Sequence, residues 1–218
     1  MRYTLLSFPE IQLPTRAAHQ LRGYFGNLFK ERSPLLHNHY ADGQPMYRYP
    51  LVQYKVLRGV PTLLGLREGA ALLMELFLKV ECLEIHGQHY TVEHKALRHD
   101  EIPIGHCDQL LEYRFETHCL MLNQKNYQDY LKTTDDERAT FLNKKLTNHL
   151  LSLLKGLDVW LEPHQRILTK AQLQERNVQF KNQKMIGFSG QFITNLMLPP
   201  HVGIGKSVAR GFGSVIAV

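Results

Sequence analysis

At 218 residues and 25.3 kDa, with 44% hydrophobic and 21% charged side chains, the chain can bury one large core or two small ones, which excludes a disordered or low-complexity polymer. The net charge of +6 sits entirely at one end: residues 163–218 hold seven basic side chains against the single acid Glu175, and the other 162 residues balance. Three cysteines, Cys82, Cys107 and Cys119, form no C-x-x-C pair, which excludes a disulfide framework and a zinc knuckle.

Taken in chain order, Tyr3 to Phe8 reads as a short strand, and the apolar run there is broken by Pro9 and Glu10, too soon for a secretory leader. Pro14 and Thr15 open a helix in which Ala18, Leu21, Tyr24, Phe25, Leu28 and Phe29 recur at three- and four-residue spacing, ending near Arg32 before Ser33-Pro34. The polar stretch from His37 to Pro45 is a loop by its Asp42-Gly43 pair and its prolines. Val52–Leu57 and Thr62–Leu66 are apolar runs joined across Arg58-Gly59, a hairpin. Glu68–Phe77 is a second helix, and Lys79–Ile85 with Tyr90–His94 returns as β-structure around Gly87. The order is βαββαβ, that of the ferredoxin-like, RNA-recognition-type sandwich.

Residues 98–108 read as a linker, with Pro103 and Gly105 among several charges. Beyond it, a strand is expected from Leu111 to Leu122 and a short helix near Asn126–Leu131. A long helix follows from Asp135 through Leu154, with Gly156 as its stop, and then strands at Arg166–Leu173, Met185–Leu196 and Ser214–Val218. The fold class is therefore α+β, a tandem of ferredoxin-like domains with antiparallel sheets at 1–97 and 108–218, the second one modified. The longest uncharged stretch, Met185–Gly205, carries Gln191, Asn195, Pro199, Pro200 and four glycines, so it does not read as a membrane helix, and a cytoplasmic protein is expected.

A basic end on a balanced globule is the electrostatic footprint of a protein that holds a polyanion; the plainer reading is a solvated basic surface. The tail favours the former. In Gly203-Ile204-Gly205-Lys206-Ser207-Val208-Ala209-Arg210-Gly211-Phe212-Gly213, two glycine-hydrophobic-glycine triplets bracket a Lys and an Arg. Such a loop can turn backbone N–H groups toward phosphate oxygens while Lys206 and Arg210 supply charge. It is neither a P-loop, which requires glycine where Pro200 stands, nor a dinucleotide fingerprint, which requires one at Val208.

That tail spacing, on a chain whose first half reads βαββαβ, resembles the RAMP superfamily. More narrowly, it resembles the stand-alone endoribonucleases that cut CRISPR repeat transcripts into guide RNAs. Leu36-His37-Asn38-His39-Tyr40, followed by Tyr47-Arg48-Tyr49-Pro50-Leu51-Val52-Gln53-Tyr54-Lys55, is similar to the b-type branch of those enzymes. The resemblance implies a metal-independent cut without cofactors, in which a ribose 2′-hydroxyl attacks the adjacent phosphate to leave a 2′,3′-cyclic phosphate and a 5′-hydroxyl. It also implies a general base or acid in the loop after the first helix. His39 takes that role with His37 as partner or substitute, the principal of the two remaining open, and Tyr47 orients or donates. Lys30 is a further candidate at the scissile phosphate. Gly203, Gly205, Lys206, Ser207, Arg210, Gly211 and Gly213 are the RNA-binding candidates.

Other readings compete with these. His37 and His39 with His86, His89, His94 or His99 would make a zinc site, but no ordered spacing completes a tetrahedron, so no metal is expected. Tyr47, Tyr49 and Tyr54 are either stacking platforms for bases or alternating core residues. The partner implied is CRISPR repeat RNA, with a homodimer and hand-over of the product to an effector complex also expected. The alternative function is a non-cutting RAMP scaffold subunit that binds RNA.

Overall fold

The computed structural model describes residues 1–28, 35, 48–180 and 183–218. It divides into two compact units, one of Met1–Ile102 with Val208–Gly211, the other of Pro103–Ser207 with Phe212–Val218. Among the described residues no helix is long and apolar enough to cross a membrane.

The first unit runs β1 (Arg2–Ser7), a 3-10 turn (Thr15–Ala17), α1 (Ala18–Leu28), β2 (Val52–Leu57), β3 (Val60–Leu66), α2 (Glu68–Phe77), β4 (Cys82–Ile85), β5 (Gln88–Thr91) and β6 (Ala96–Glu101). Pro14, with φ preset at −67°, leads into the 3-10 turn that starts the helical segment. The β2–β3 turn is the expected Arg58-Gly59, with φ of 51° and 88°, the paired positive angles of a tight hairpin that follows strand twist. Leu6 and Phe8 on and beyond β1, Leu21 and Phe25 on α1, Tyr54 on β2 and Leu73 on α2 meet in one core. Phe25 stacks on Phe8 and Tyr54 at centroid distances of 6.3 and 5.8 Å.

The antiparallel sheet has the order β2-β3-β1-β6, the ferredoxin-like arrangement, but its outer strand is not the one expected. Lys79–Ile85 and Tyr90–His94 do not close the sheet; β4 and β5 form a separate two-stranded hairpin. The fourth strand is β6, paired with β1 from Arg2↔Glu101 to Ser7↔Ala96, so part of the stretch read as a linker is strand. Its sequence Ala-Leu-Arg-His-Asp-Glu is polar because the strand is largely exposed. The backbone ladder holds it, aided by Thr4 Oγ1 to His99 Nδ1 at 2.7 Å.

The second unit contains β7 (Gly105–Phe115), α3 (Gln124–Lys132), α4 (Asp135–Gly156), β8 (Thr169–Phe180), β9 (Gln183–Met197) and β10 (Val215–Ala217), in an antiparallel sheet of order β10-β7-β9-β8. β7 begins six residues earlier than the apolar pattern suggests, because its register against β9 jumps from His106↔Leu196 to Leu111↔Thr194, and the looped-out residues break the alternation. Thr134 and Glu137 form a reciprocal capping box ahead of α4, and Leu142, Leu146, Leu150, Leu153 and Leu154 make its buried stripe. Gly156 is the last helical residue rather than the left-handed stop beyond it. Asp158 takes the left-handed position at φ 58°, while its N–H bonds Lys155 O at 3.1 Å and the Val159 N–H bonds Leu154 O at 2.9 Å. These are the two bonds of a Schellman stop with Asp in place of Gly.

Candidate functional site

His37, His39, Tyr47 and Lys30 lie outside the described residues, and the ends of their segment are what the structure places. α1 delivers the chain as far as Leu28, and Leu35 packs against the first unit's core two positions before His37. On the far side, Gln53 Nε2 donates to Tyr49 Oη at 2.7 Å and to Pro50 O at 3.2 Å, which fixes the exit. Tyr54 is no stacking platform. It is fully buried against Phe25, and burial pushes its phenol up, so it serves the core.

The glycine-rich tail is tied into the protein more tightly than its composition suggests. The N–H of Ile204 donates to Gly213 O at 2.8 Å, that of Lys206 to Leu120 O at 2.7 Å and that of Gly213 to His118 O at 3.0 Å. Ser214 N–H is held by Thr117 Oγ1 at 2.9 Å. These amides are therefore occupied, and the open nest of N–H donors expected from the sequence is not present at them. The glycines serve closeness: at Gly213, with φ 69°, a Cβ would sit 1.9 Å from Ile204 O. At Gly211, with φ 92°, it would meet Ala18 Cβ at 2.5 Å and Tyr54 O at 3.4 Å. Val202, Ile204 and Val208 are buried, and Phe212 lies edge-on to Phe180 at 5.3 Å. What remains outward is side-chain chemistry: Lys206 is exposed, and Ser207 and Arg210 are half-buried.

Within the first unit the short 3-10 turn Val208–Arg210 packs on α1 and β2. This sets Arg210 beside Arg22 of α1. The Arg22 guanidinium titrates below its usual range, chiefly because it is partly buried and next because of the Arg210 charge. Two like charges held near each other, one of them partly desolvated, are stabilised by an anion that binds beside them. Arg22 is the residue that sequence reading misses, since one arginine on an amphipathic helix reads as ordinary solvated surface.

The second unit carries its own positive groups. His149, on α4, donates from Nε2 to Met121 O at 3.0 Å and is held below the ordinary histidine range, first by burial and then by Lys206 and Lys145. His118 is lowered in the same sense by burial and by Arg176. Both imidazoles are thus neutral among cations at pH 7. The histidines weighed as zinc ligands are dispersed: His86 bonds Gln20, His99 bonds Thr4, and His94 pairs with Glu10 at 2.6 Å. Glu93 lies near that exposed pair, and among the described residues these three are the grouping whose ligand atoms converge.

Comparison with known proteins draws the two halves together. Residues 1–103 match the family described as the Cas6b N-terminal domain, and residues 105–218 match the Cas6b C-terminal domain. A crystal structure of Cas6b is 33% identical with a TM-score of 0.94, covering 100% of this chain and 99% of that one. A second, of the CRISPR RNA processing endoribonuclease Cas6b, is 31% identical with a TM-score of 0.80, covering 100% of both. An uncharacterised protein of Methanocaldococcus jannaschii is 34% identical over 147 residues, 66% of this chain and 97% of that protein. A type IV Cas6 crRNA endonuclease, Csf5, is 13% identical with a TM-score of 0.61 over 100% of both chains and shares the fold.

Proposed function

The chain belongs to the Cas6b family and is an endoribonuclease that processes CRISPR RNA, and from that premise we propose how it cuts. The loop that follows α1 brings His37 and His39 to a ribose. One imidazole takes the proton of the 2′-hydroxyl, and the 2′-oxygen attacks the adjacent phosphorus. The bond from phosphorus to the 5′-oxygen breaks, and that oxygen leaves with a proton from the second imidazole or from Tyr47. The products are a 2′,3′-cyclic phosphate and a 5′-hydroxyl, and the atoms balance without water, metal or cofactor.

The observation that carries this reading is the Arg22–Arg210 pair. It sets two guanidiniums at the helix from which the histidine loop departs, so an RNA phosphate bound there holds the strand close to that loop. In the second unit, Lys206 and Lys145 beside His149, and Arg176 beside His118, offer positive charge of their own to RNA phosphates. The same reading places the protein in the cytoplasm. It also has the protein hand the matured RNA to an effector complex and pair two copies, the pairing drawing support from β8, an outer strand of its sheet.

The test is incubation of the purified chain with repeat RNA in excess EDTA. The expected result is a single cut whose upstream fragment resists 3′-end ligation until its cyclic phosphate is opened and the resulting monophosphate is removed. Loss of cutting in EDTA, restored by Mg²⁺, would rule out the metal-independent scheme.

A further inference from the structure

We infer that the cleft formed by α3, α4 and β8 in the second unit binds an unpaired guanine base. It encloses about 520 Å³ and is lined by Tyr130, Asp135, Arg138, Leu142, Leu173 and Glu175 among others, a volume within the range of small-ligand sites. The polar end is incompletely satisfied. Tyr130 donates its hydroxyl to Glu175 Oε1. One Arg138 terminal nitrogen holds Asp135 Oδ1 at 2.9 Å and lies 4.0 Å from the same Glu175 Oε1, while the guanidinium sits 5.5 Å from the Tyr130 ring centroid. Arg138 Nε is buried with no acceptor, and Glu175 Oε2 receives neither of those contacts. In the wall of the cleft, then, one buried donor has no acceptor, and one carboxylate oxygen stands outside both contacts on a half-exposed side chain.

Charge decides the ligand. Two carboxylates against one guanidinium leave the cleft net negative, so it rejects phosphate and selects a neutral group rich in N–H donors. Among the four RNA bases, guanine presents two adjacent donors, N1–H and the N2 amino group, beside the acceptor O6. The donors match the carboxylates and the acceptor matches Arg138 Nε, while Leu142, Ala171 and Leu173 offer an apolar wall to the ring. Adenine and cytosine would turn a ring-nitrogen acceptor toward a carboxylate. Uracil has one donor between two acceptors. The positive surfaces hold the strand by its backbone, and this cleft reads one base that has left its stack.

Only the nature of the ligand rests on the reading of the chain as an RNA endoribonuclease; the cleft does not. The full chain is titrated with guanosine, inosine, adenosine, cytidine and uridine by saturation-transfer NMR. Guanosine is expected to bind on the order of tenfold more tightly than inosine, which lacks the N2 amino group, with no saturable binding of the others. Glu175→Gln keeps an acceptor for the Tyr130 hydroxyl and removes the charge, and Asp135→Asn alters a side chain that is 91% exposed and outside the core. Each should weaken guanosine binding by a similar factor. Equal affinity for all five nucleosides, or guanosine binding untouched in both variants, overturns the assignment. Repeat-RNA cutting is measured on the same preparation: intact cutting without nucleoside discrimination removes the guanine site alone, and selective guanosine binding without cutting removes the cleavage scheme alone.

Discussion

Arg22 and Arg210 come from opposite ends of the chain, yet the charge of the second lowers the proton affinity of the first. Like-charged groups at such closeness are held there by the fold, through the packing of Gly211 on Ala18 and Tyr54, and the cost of their repulsion is offset when an anion binds.

Replacing Arg22 and Arg210 by Ala should weaken RNA binding at any repeat sequence and flatten its salt dependence. Each phosphate neutralised by one fewer cation lowers the slope of log K against log salt by about 0.7–0.9. Lys206→Ala, on the exposed part of the tail, should add a similar decrement. The measurement is binding by fluorescence anisotropy between 50 and 300 mM salt, roughly the range in which counterion release dominates. An unchanged slope in the double variant would detach the pair from the backbone.

Changing His37 and His39 together to Ala should abolish cutting while leaving RNA affinity within about twofold, because proton transfer contributes rate rather than binding. Single variants then rank the two imidazoles. Cutting undiminished in the double variant would remove both from the chemistry.

Gly213→Ala and Gly23→Ala should move stability in opposite directions. At 213 the new Cβ would overlap Ile204 O, on backbone with φ 69°, so destabilisation above about 2 kcal/mol is expected. Gly23 is exposed on α1 with nothing within 4 Å of a Cβ, and alanine there should stabilise by about 0.5–1 kcal/mol. Urea unfolding measures both.

Acid should destabilise the second unit through His149 and His118. Their folded-state proton affinities are lowered, so the unfolded chain binds protons first. Their contribution is fully present above about pH 6.5, the ordinary histidine value, and is lost as pH falls through the lowered folded-state values. The urea midpoint should drop between pH 7.5 and 5.5, and His149→Gln, which keeps a donor for Met121 O, should flatten that drop. An identical pH slope in wild type and variant would refute the assignment.

Much of the fold was legible because apolar spacing reports burial directly. Glu68–Phe77 is recovered residue for residue, the Arg58-Gly59 turn joins the expected strands with the second starting two residues earlier, at Val60, and the leucine stripe of α4 is unmistakable. β6 was not legible, since an exposed strand held by its ladder leaves no alternation to read. Asp158 ended α4 in place of the nearby glycine because a single left-handed residue suffices and Asp tolerates it. The tail's glycines were visible, but their task was not. Composition cannot distinguish a backbone that approaches a ligand from one that approaches its own neighbours, and here Gly205 and Gly213 approach Leu120 and Ile204. Arg22 and the Arg138 cleft are products of tertiary placement and have no sequence signature of their own.

The assignment of Val208–Gly211 to the first unit, with the residues on both sides in the second, bears on how the protein can be dissected. A fragment ending near Ile102 would lack the segment that packs on α1 and β2, Gly211 against Ala18 and the Tyr54 backbone among it, leaving that face bare. A complementary fragment would carry those residues with nothing of its own unit to receive them. Halves expressed alone should therefore aggregate or stay partly unfolded, and co-expression of both pieces is the way to recover a working enzyme from a severed chain.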